Sequence, residues 1–557
     1  YYDVLGREIL SVKDGLTQQV YQTKEYNDDG TLKRTSWPYY SGETLKWTSY
    51  YYDVFGRDST IWNNGLKTSF SYSLASTTVT NPAGQTKTTK VNPAGNVVQV
   101  TENNNNIITY SYHSNGQIKS IVSAGTTISM TYDNIGRQTS VTNPNSGTTA
   151  YYYNDLGELI KQHDANGNTT FQYNKLGQLS SVTTSEGTIN YVYVPSGNGI
   201  GQIQSITGPN GVSNVYLYDS YGRMTSLTET ITGDQSLVTE FKYDTWGRDS
   251  VITYPSGISI TNLYNADGYL NEIKYAGSTL WKVNTVNSSG QPVNMSLGTA
   301  GLTKIIGYTT RGYVDSIRTG SSTQRFIFNN YTGNLTNRTF QKPGSTLLSE
   351  SFTYDNMDRL LTSQVGQNPV ISCNYLTNGN ISYKTDLGTY TYDPGRKNAV
   401  TNLTGSCANA LDTITYNAFN LTSGITQDSN ALQIMYGPDN MRIKTILTGN
   451  QSVRTKYFSP GYEKDSTSTV VKQIHYISSP YGLEAVLIKQ GQNVTTYFAE
   501  TDYLGSIIGL MNAGGTYAEQ FSYDAWGRRR HPTNWTYANV PAPNLIERGY
   551  TGHEHLD

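Results

Sequence analysis

Tyr243-Asp244-Thr245-Trp246-Gly247-Arg248 is the stretch whose reading decides the fold of this 557-residue chain. The same pattern stands at Tyr2-Asp3-Val4-Leu5-Gly6-Arg7, Tyr52-Asp53-Val54-Phe55-Gly56-Arg57 and Tyr132-Asp133-Asn134-Ile135-Gly136-Arg137. It returns at Tyr218-Asp219-Ser220-Tyr221-Gly222-Arg223 and Tyr523-Asp524-Ala525-Trp526-Gly527-Arg528. Looser copies begin at Tyr112, Tyr153, Tyr173, Tyr264 and Tyr354. Starts at 112, 132, 153 and 173 are 20, 21 and 20 residues apart, and 243 to 264 is again 21. A fixed period of this length marks a repeat architecture.

Each residue of the unit has a mechanical role. The aromatic residue ends a strand and packs on the sheet. Asp or Asn accepts a hydrogen bond from the backbone ahead and starts a turn. Gly three positions later suits a site of positive φ, as in a type I turn followed by a glycine bulge. Arg restarts the strand and can pair with the Asp across the turn. Such a period holds two strands and two tight turns, a hairpin that is not stable alone in water. The units must therefore pair side by side.

The totals narrow the class. Forty Lys plus Arg stand against 42 Asp plus Glu, without the basic excess of a nucleic-acid binder. No run of 18 apolar residues offers a membrane-spanning helix. The chain begins inside a repeat and stops abruptly at Asp557, which reads as a fragment of a longer protein. Forty-seven Tyr and 53 Gly accompany an apolar share, Gly included and Tyr excluded, of roughly 37%, below the usual ~45–50% of globular domains. That suits a sheet wetted on much of both faces rather than one around a solid core. Cys373 and Cys407 are either one disulfide or two unpaired thiols, too few for a disulfide scaffold.

Along the chain, Trp37-Pro38-Tyr39-Tyr40 is either a sugar platform or the cover of a sheet edge. Asn81-Pro82-Ala83-Gly84, Asn92-Pro93-Ala94-Gly95 and the four-Asn tip Asn103 to Asn106 are turns. His163-Asp164-Ala165-Asn166-Gly167-Asn168 lacks the rest of a calcium loop and reads as a turn. Copies degrade from 350 to 480, with no linker dividing the chain. At this period the chain holds roughly 26 units and on the order of 50 strands, a strip roughly 240 Å long at ~4.8 Å per strand. Open sheets of more than ~10 strands curl. The expectation is an all-β, long spiralling antiparallel sheet curled into a hollow shell without a packed core. A propeller would need about 13 blades against the usual 4–8.

The Tyr-Asp-x-x-Gly-Arg unit resembles the YD repeat of the Rhs (rearrangement hotspot) family, with related repeats in teneurins and in the B and C components of insecticidal toxin complexes. A second resemblance, to the start of the Rhs-associated core, lies in Thr501-Asp502-Tyr503-Leu504-Gly505-Ser506, Asn512-Ala513-Gly514-Gly515 and the Tyr523 copy, continuing through Arg548-Gly549-Tyr550-Thr551-Gly552-His553-Glu554. The resemblance implies two regions, a repeat shell over 1–480 and the core's beginning over 481–557, continuous with it. It implies a cocoon around a C-terminal toxin polypeptide, freed in many members by an autoprotease with an Asp-Pro-x-Gly motif. The chain stops before that point, and Asp393-Pro394-Gly395 sits at a repeat position instead.

Chemistry is sparse. His553-Glu554-His555 puts two imidazoles on one strand face but needs a third metal ligand. No nucleophile elbow, phosphate loop or dinucleotide fingerprint stands out. Arg528-Arg529-Arg530 reads as a solvated loop. The expectation is a non-enzymatic scaffold without cofactor or metal, secreted or on the bacterial surface. Its partners would be its own toxin, secretion-system components and an immunity protein. The alternative is a surface adhesin or glycan-binding protein.

Overall fold

The computed structural model describes residues 1–103, 105–405, 413–449 and 452–555. It contains 48 strands and two short 3-10 turns among the described residues. Each strand from Leu10–Asp14 to Val400–Leu403 pairs antiparallel with the next in sequence. A second such run extends from Thr413–Tyr416 to Tyr517–Gln520. The register slips by one residue at the repeat Tyr, for example between Lys242 and Tyr243, which is the expected bulge. Two long ladders in chain order, of 37 and 11 strands, exclude four-stranded propeller blades among the described residues. The hairpin Val471–Ser479 with Gly482–Gln490 runs straight across position 480.

Contacts distant in sequence show how the strip coils. Tyr269 donates to the Asp14 carbonyl at 3.0 Å, Gln85 to that of Asn356 at 3.0 Å, and Lys397 to that of Gly125 at 3.0 Å. These pairs are 255, 271 and 272 residues apart. One revolution from the Gln85 turn to the Asn356 turn takes 25 strands, roughly 120 Å of sheet at ~4.8 Å per strand and therefore ~40 Å across. The revolutions then shorten. Gln324 meets Thr501 after 177 residues, and Lys342 meets Gln520 after 178.

Hairpin turns alternate between two edges of the strip. The Tyr243-type turns of the first revolution mark the repeat edge; the turns around Gly15, Gly125 and Asn166 mark the alternate edge. The alternate edge of the first revolution carries the repeat edge of the second, as in Asn166 to Asn420 at 2.9 Å.

Burial corrects the expectation of an unpacked interior. Before residue 181 only Ser36 and Tyr40 are buried among the described residues, so the first two thirds of the first revolution lack a packed core. Farther on, strand Ser278–Val286 packs on Gly482–Gln490, and Trp281, Met295, Leu297, Ile477 and Leu487 form a dry core. A second cluster joins Val486, Leu510, Phe521 and Ile546. The shorter revolutions bring sheet against sheet, and their aliphatic residues pack against Leu237, Ile258 and Ile260 near the end of the first revolution.

Candidate functional site: repeat turns and the closing seam

The six full copies share one turn. One carboxylate oxygen of Asp3, Asp53, Asp133, Asp219, Asp244 and Asp524 accepts the N–H two residues ahead and the N–H of the Arg, all at 2.8 to 3.1 Å. Gly6, Gly56, Gly136, Gly222, Gly247 and Gly527 take φ between +73° and +89°, the left-handed conformation that closes the turn. In the first five copies the other carboxylate oxygen accepts from the Nε of Arg7, Arg57, Arg137, Arg223 or Arg248 at 2.6 to 2.8 Å. At Asp53, Asp133 and Asp219 this guanidinium bond, with the backbone donors, holds the carboxyl below its usual range.

Sequence reasoning missed how units are tied together. Each guanidinium also lies over the next aromatic ring: Arg7 on Tyr26, Arg57 on Tyr72, Arg137 on Tyr153, Arg223 on Tyr243 and Arg248 on Tyr264, at 4.0 to 4.8 Å. The Tyr hydroxyl then reaches the preceding unit's first strand residue. Tyr52 donates to Leu32 O, Tyr218 to Ile203 O, Tyr243 to Met224 O and Tyr264 to Asp249 O, at 2.6 to 3.0 Å. The signal was available: Tyr, not Phe, recurs at this position, and only Tyr carries a donor. Tyr2 is exposed. Tyr132 packs edge-on against His113.

The last copy differs because it is buried. Tyr523 and Asp524 are 3% and 1% exposed. Asp524 accepts from Tyr537 at 2.8 Å, and Arg528 reaches Asp386 at 3.3 Å. Beside it, Glu350 takes Arg530 and Arg338, each at 2.8 Å, and Ser363 at 2.5 Å. Burial alone would raise the Glu350 carboxyl; the two guanidiniums overrule it and hold the pKa at about 2. The solvated-loop expectation for Arg528 to Arg530 is corrected at one residue: Arg528 is exposed, but Arg530 is buried and stacked on Trp535 at 4.2 Å.

Further latches fix residues 521–555 to the sheet. Arg548 donates to Glu463 at 2.6 Å, and Lys456 lies between Glu547 and Glu554. The two imidazoles of the His553-Glu554-His555 run do different things. His553 bonds Thr551 at 2.7 Å, while His555 stacks on Tyr523 at 5.1 Å. Asp164 accepts from Asn166 N–H at 2.8 Å, a plain turn. Cys373 is buried and unpaired among the described residues; Cys407 lies outside them.

Tyr40 is buried and donates to Val286 O and Asn287 O, so this aromatic cluster covers a sheet edge. Trp37 and Tyr39 also line a cleft of ≈ 290 Å³ with Lys46 and Asn287. A larger cleft, ≈ 580 Å³, opens between revolutions among Ile189, Val212, Phe419, Leu432 and Tyr436. No helix among the described residues is long and apolar enough to cross a membrane.

Comparison with known proteins agrees with this geometry. The teneurin YD-shell family model matches residues 75–208. A solved structure of TcdB2-TccC3 without its hypervariable C-terminal region superposes over 100% of the chain with a TM-score of 0.83 at 14% identity. The Photorhabdus luminescens Tc holotoxin pore, carrying a TccC3 mutation, does so with a TM-score of 0.81 at 14% identity. In both cases the chain spans 35% of the matched structure's length. No curated protein sequence matches the chain significantly. The repeat, the family-model match over residues 75–208 and the superposition over the full length together show a YD-repeat shell fold.

Proposed function

We propose that the chain is a non-enzymatic wall segment of a secreted toxin shell. The observation that carries this reading is the shortening of its revolutions, from 272 residues to 177, which narrows the coil toward residues 521–555. A wall that narrows toward one end suits containment of a polypeptide. The likeness to structures of toxin-complex components supports the same reading. In this account residues 1–480 build the side wall and 481–557 begin the closing core. The enclosed partner is a toxin polypeptide of the same protein, with delivery components and an immunity protein outside, and the site of action is extracellular or at the bacterial surface.

The test uses the full-length parent gene. A discrete small fragment on a denaturing gel, protected from protease in the native protein, supports an enclosed cargo. A C-terminal region digested at once in the native protein overturns it. The Trp37 and Tyr39 cleft supports a second reading, glycan binding at the surface. Glycan-array binding abolished by Trp37→Ala would favour it.

A further inference from the structure

Among the described residues three lysines are buried, Lys304, Lys384 and Lys456. Two of them are closely held: Lys384 donates to both oxygens of Asp386 at 2.7 and 2.9 Å, and Lys456 lies between Glu547 and Glu554. Lys304 is the exception. It is 3% exposed, yet its Nζ has only long contacts, with Thr501 Oγ1 at 3.2 Å and Glu484 Oε2 at 3.4 Å. Glu484 is fully buried, and its other carboxylate oxygen accepts from Ser479 at 2.8 Å. It is the extra residue of a β-bulge, since Ile477 faces Ala485 and Ser478 faces Leu483, and bulges re-aim a side chain. Here the carboxyl meets Lys304, 180 residues back on strand Leu302–Tyr308. The fully buried Glu500 is engaged elsewhere, accepting from Ser322 and Tyr517. Burial raises its carboxyl above the usual range, so it competes less as a counter-charge for Lys304.

We propose that Lys304 and Glu484 condense into an intramolecular isopeptide bond that staples successive revolutions of the wall. The ammonium passes one proton to the carboxylate, and the freed amine adds to Glu484 Cδ. The Cδ–O bond then breaks as the hydroxyl takes a second amine proton and leaves as water. One Nζ–Cδ amide bond is gained and one Cδ–O bond lost, and no oxidant or co-reactant is needed. In bulk water two free ions do not condense in this way. Here both groups are fixed on paired strands, and well-oriented intramolecular partners reach effective concentrations on the order of 10⁵–10⁸ M. The site is dry, which keeps out the water that would reverse the step. The product is a neutral amide, so two charges whose desolvation is costly disappear from the interior. The bond closes a loop across the 180 residues between Lys304 and Glu484, so that stretch of wall cannot unwind from the strands that close it.

Mass spectrometry of the natively purified, then denatured, chain tests this. The expected intact mass is one water below that of the sequence. Trypsin should then fail to cut after Lys304, leaving residues 283–311 and 473–489 as one branched peptide. The double variant Lys304→Met with Glu484→Leu exchanges the pair for apolar side chains of similar size, which buried ion pairs tolerate. It should show the full sequence mass and unchanged circular dichroism. A wild-type chain at its full sequence mass overturns the inference, whatever the variant does. A water loss that persists in the double variant, or that maps to other residues, overturns it too.

Discussion

Arg530 and Glu350, 180 residues apart in sequence, meet at 2.8 Å in a part of the seam where both side chains are at most 2% exposed. Arg338 reaches the same carboxylate from the neighbouring strand. Three buried charges satisfy one another, and the last repeat copy is held shut by them.

Glu350→Gln leaves two guanidiniums buried against one neutral amide. Breaking such a site by removing one partner costs about 3–5 kcal/mol. Because the latch is local, the expected readout is faster amide exchange across residues 521–555, with the first revolution unchanged. Hydrogen exchange by mass spectrometry decides it. Acid acts in the same direction: the folded carboxyl titrates at about 2 and the free one near 4.5. Its contribution is therefore complete above pH 4.5 and lost as pH falls toward 2.

A pair of groups at the overlap of the revolutions has opposed pH dependences. His475 is fully buried; its Nδ1–H donates to Leu487 O at 3.0 Å and its Nε2 accepts from Ser256 at 2.6 Å. Burial lowers its pKa from 6.5 to about 4, so stability is lost as pH falls through that window. Burial raises Glu229 from 4.5 to about 7, outweighing a Ser459 hydrogen bond, so its contribution is lost as pH rises through that window. The two slopes nearly cancel between pH 4.5 and 6.5 in the wild type. In Glu229→Gln the midpoint of denaturant unfolding should rise with pH there, and in His475→Phe it should fall.

The inter-unit tie can be removed one atom at a time. Tyr243→Phe deletes the hydroxyl bonded to Met224 O at 2.6 Å while keeping the ring under Arg223. The expected loss is about 0.5–1.5 kcal/mol. Repeating it at Tyr52 and Tyr218 should add nearly linearly, since distant sites are independent. Calorimetry of the single and triple variants checks this.

At Gly56 the space around a new Cβ is empty and φ is +73°. Gly56→Ala therefore isolates backbone strain, expected at about 1–2 kcal/mol. Gly56→Asn should recover part of it, because Asn tolerates the left-handed region. Equal melting temperatures for the two variants would contradict this account of the turn.

Much of this was written locally. The 21-residue spacing, the Asp that caps its own turn, the Gly at positive φ and the Arg that pairs back across four residues are all short-range relations. They depend on φ/ψ sterics and hydrogen bonds within one hairpin, so one copy of Tyr-Asp-x-x-Gly-Arg carries them and repetition makes them unmistakable. Antiparallel pairing with the next strand follows from the two-turn unit.

What the tertiary structure decided are relations that no periodicity encodes. How many units make one revolution depends on the accumulated twist and coil of dozens of strands, a sum of small angles that no single unit reveals. That number determines that Asp14 lies under Tyr269 and that Arg530 finds Glu350 and is buried rather than solvated. It also determines that Asn166 lies against Asn420, 254 residues farther along the chain.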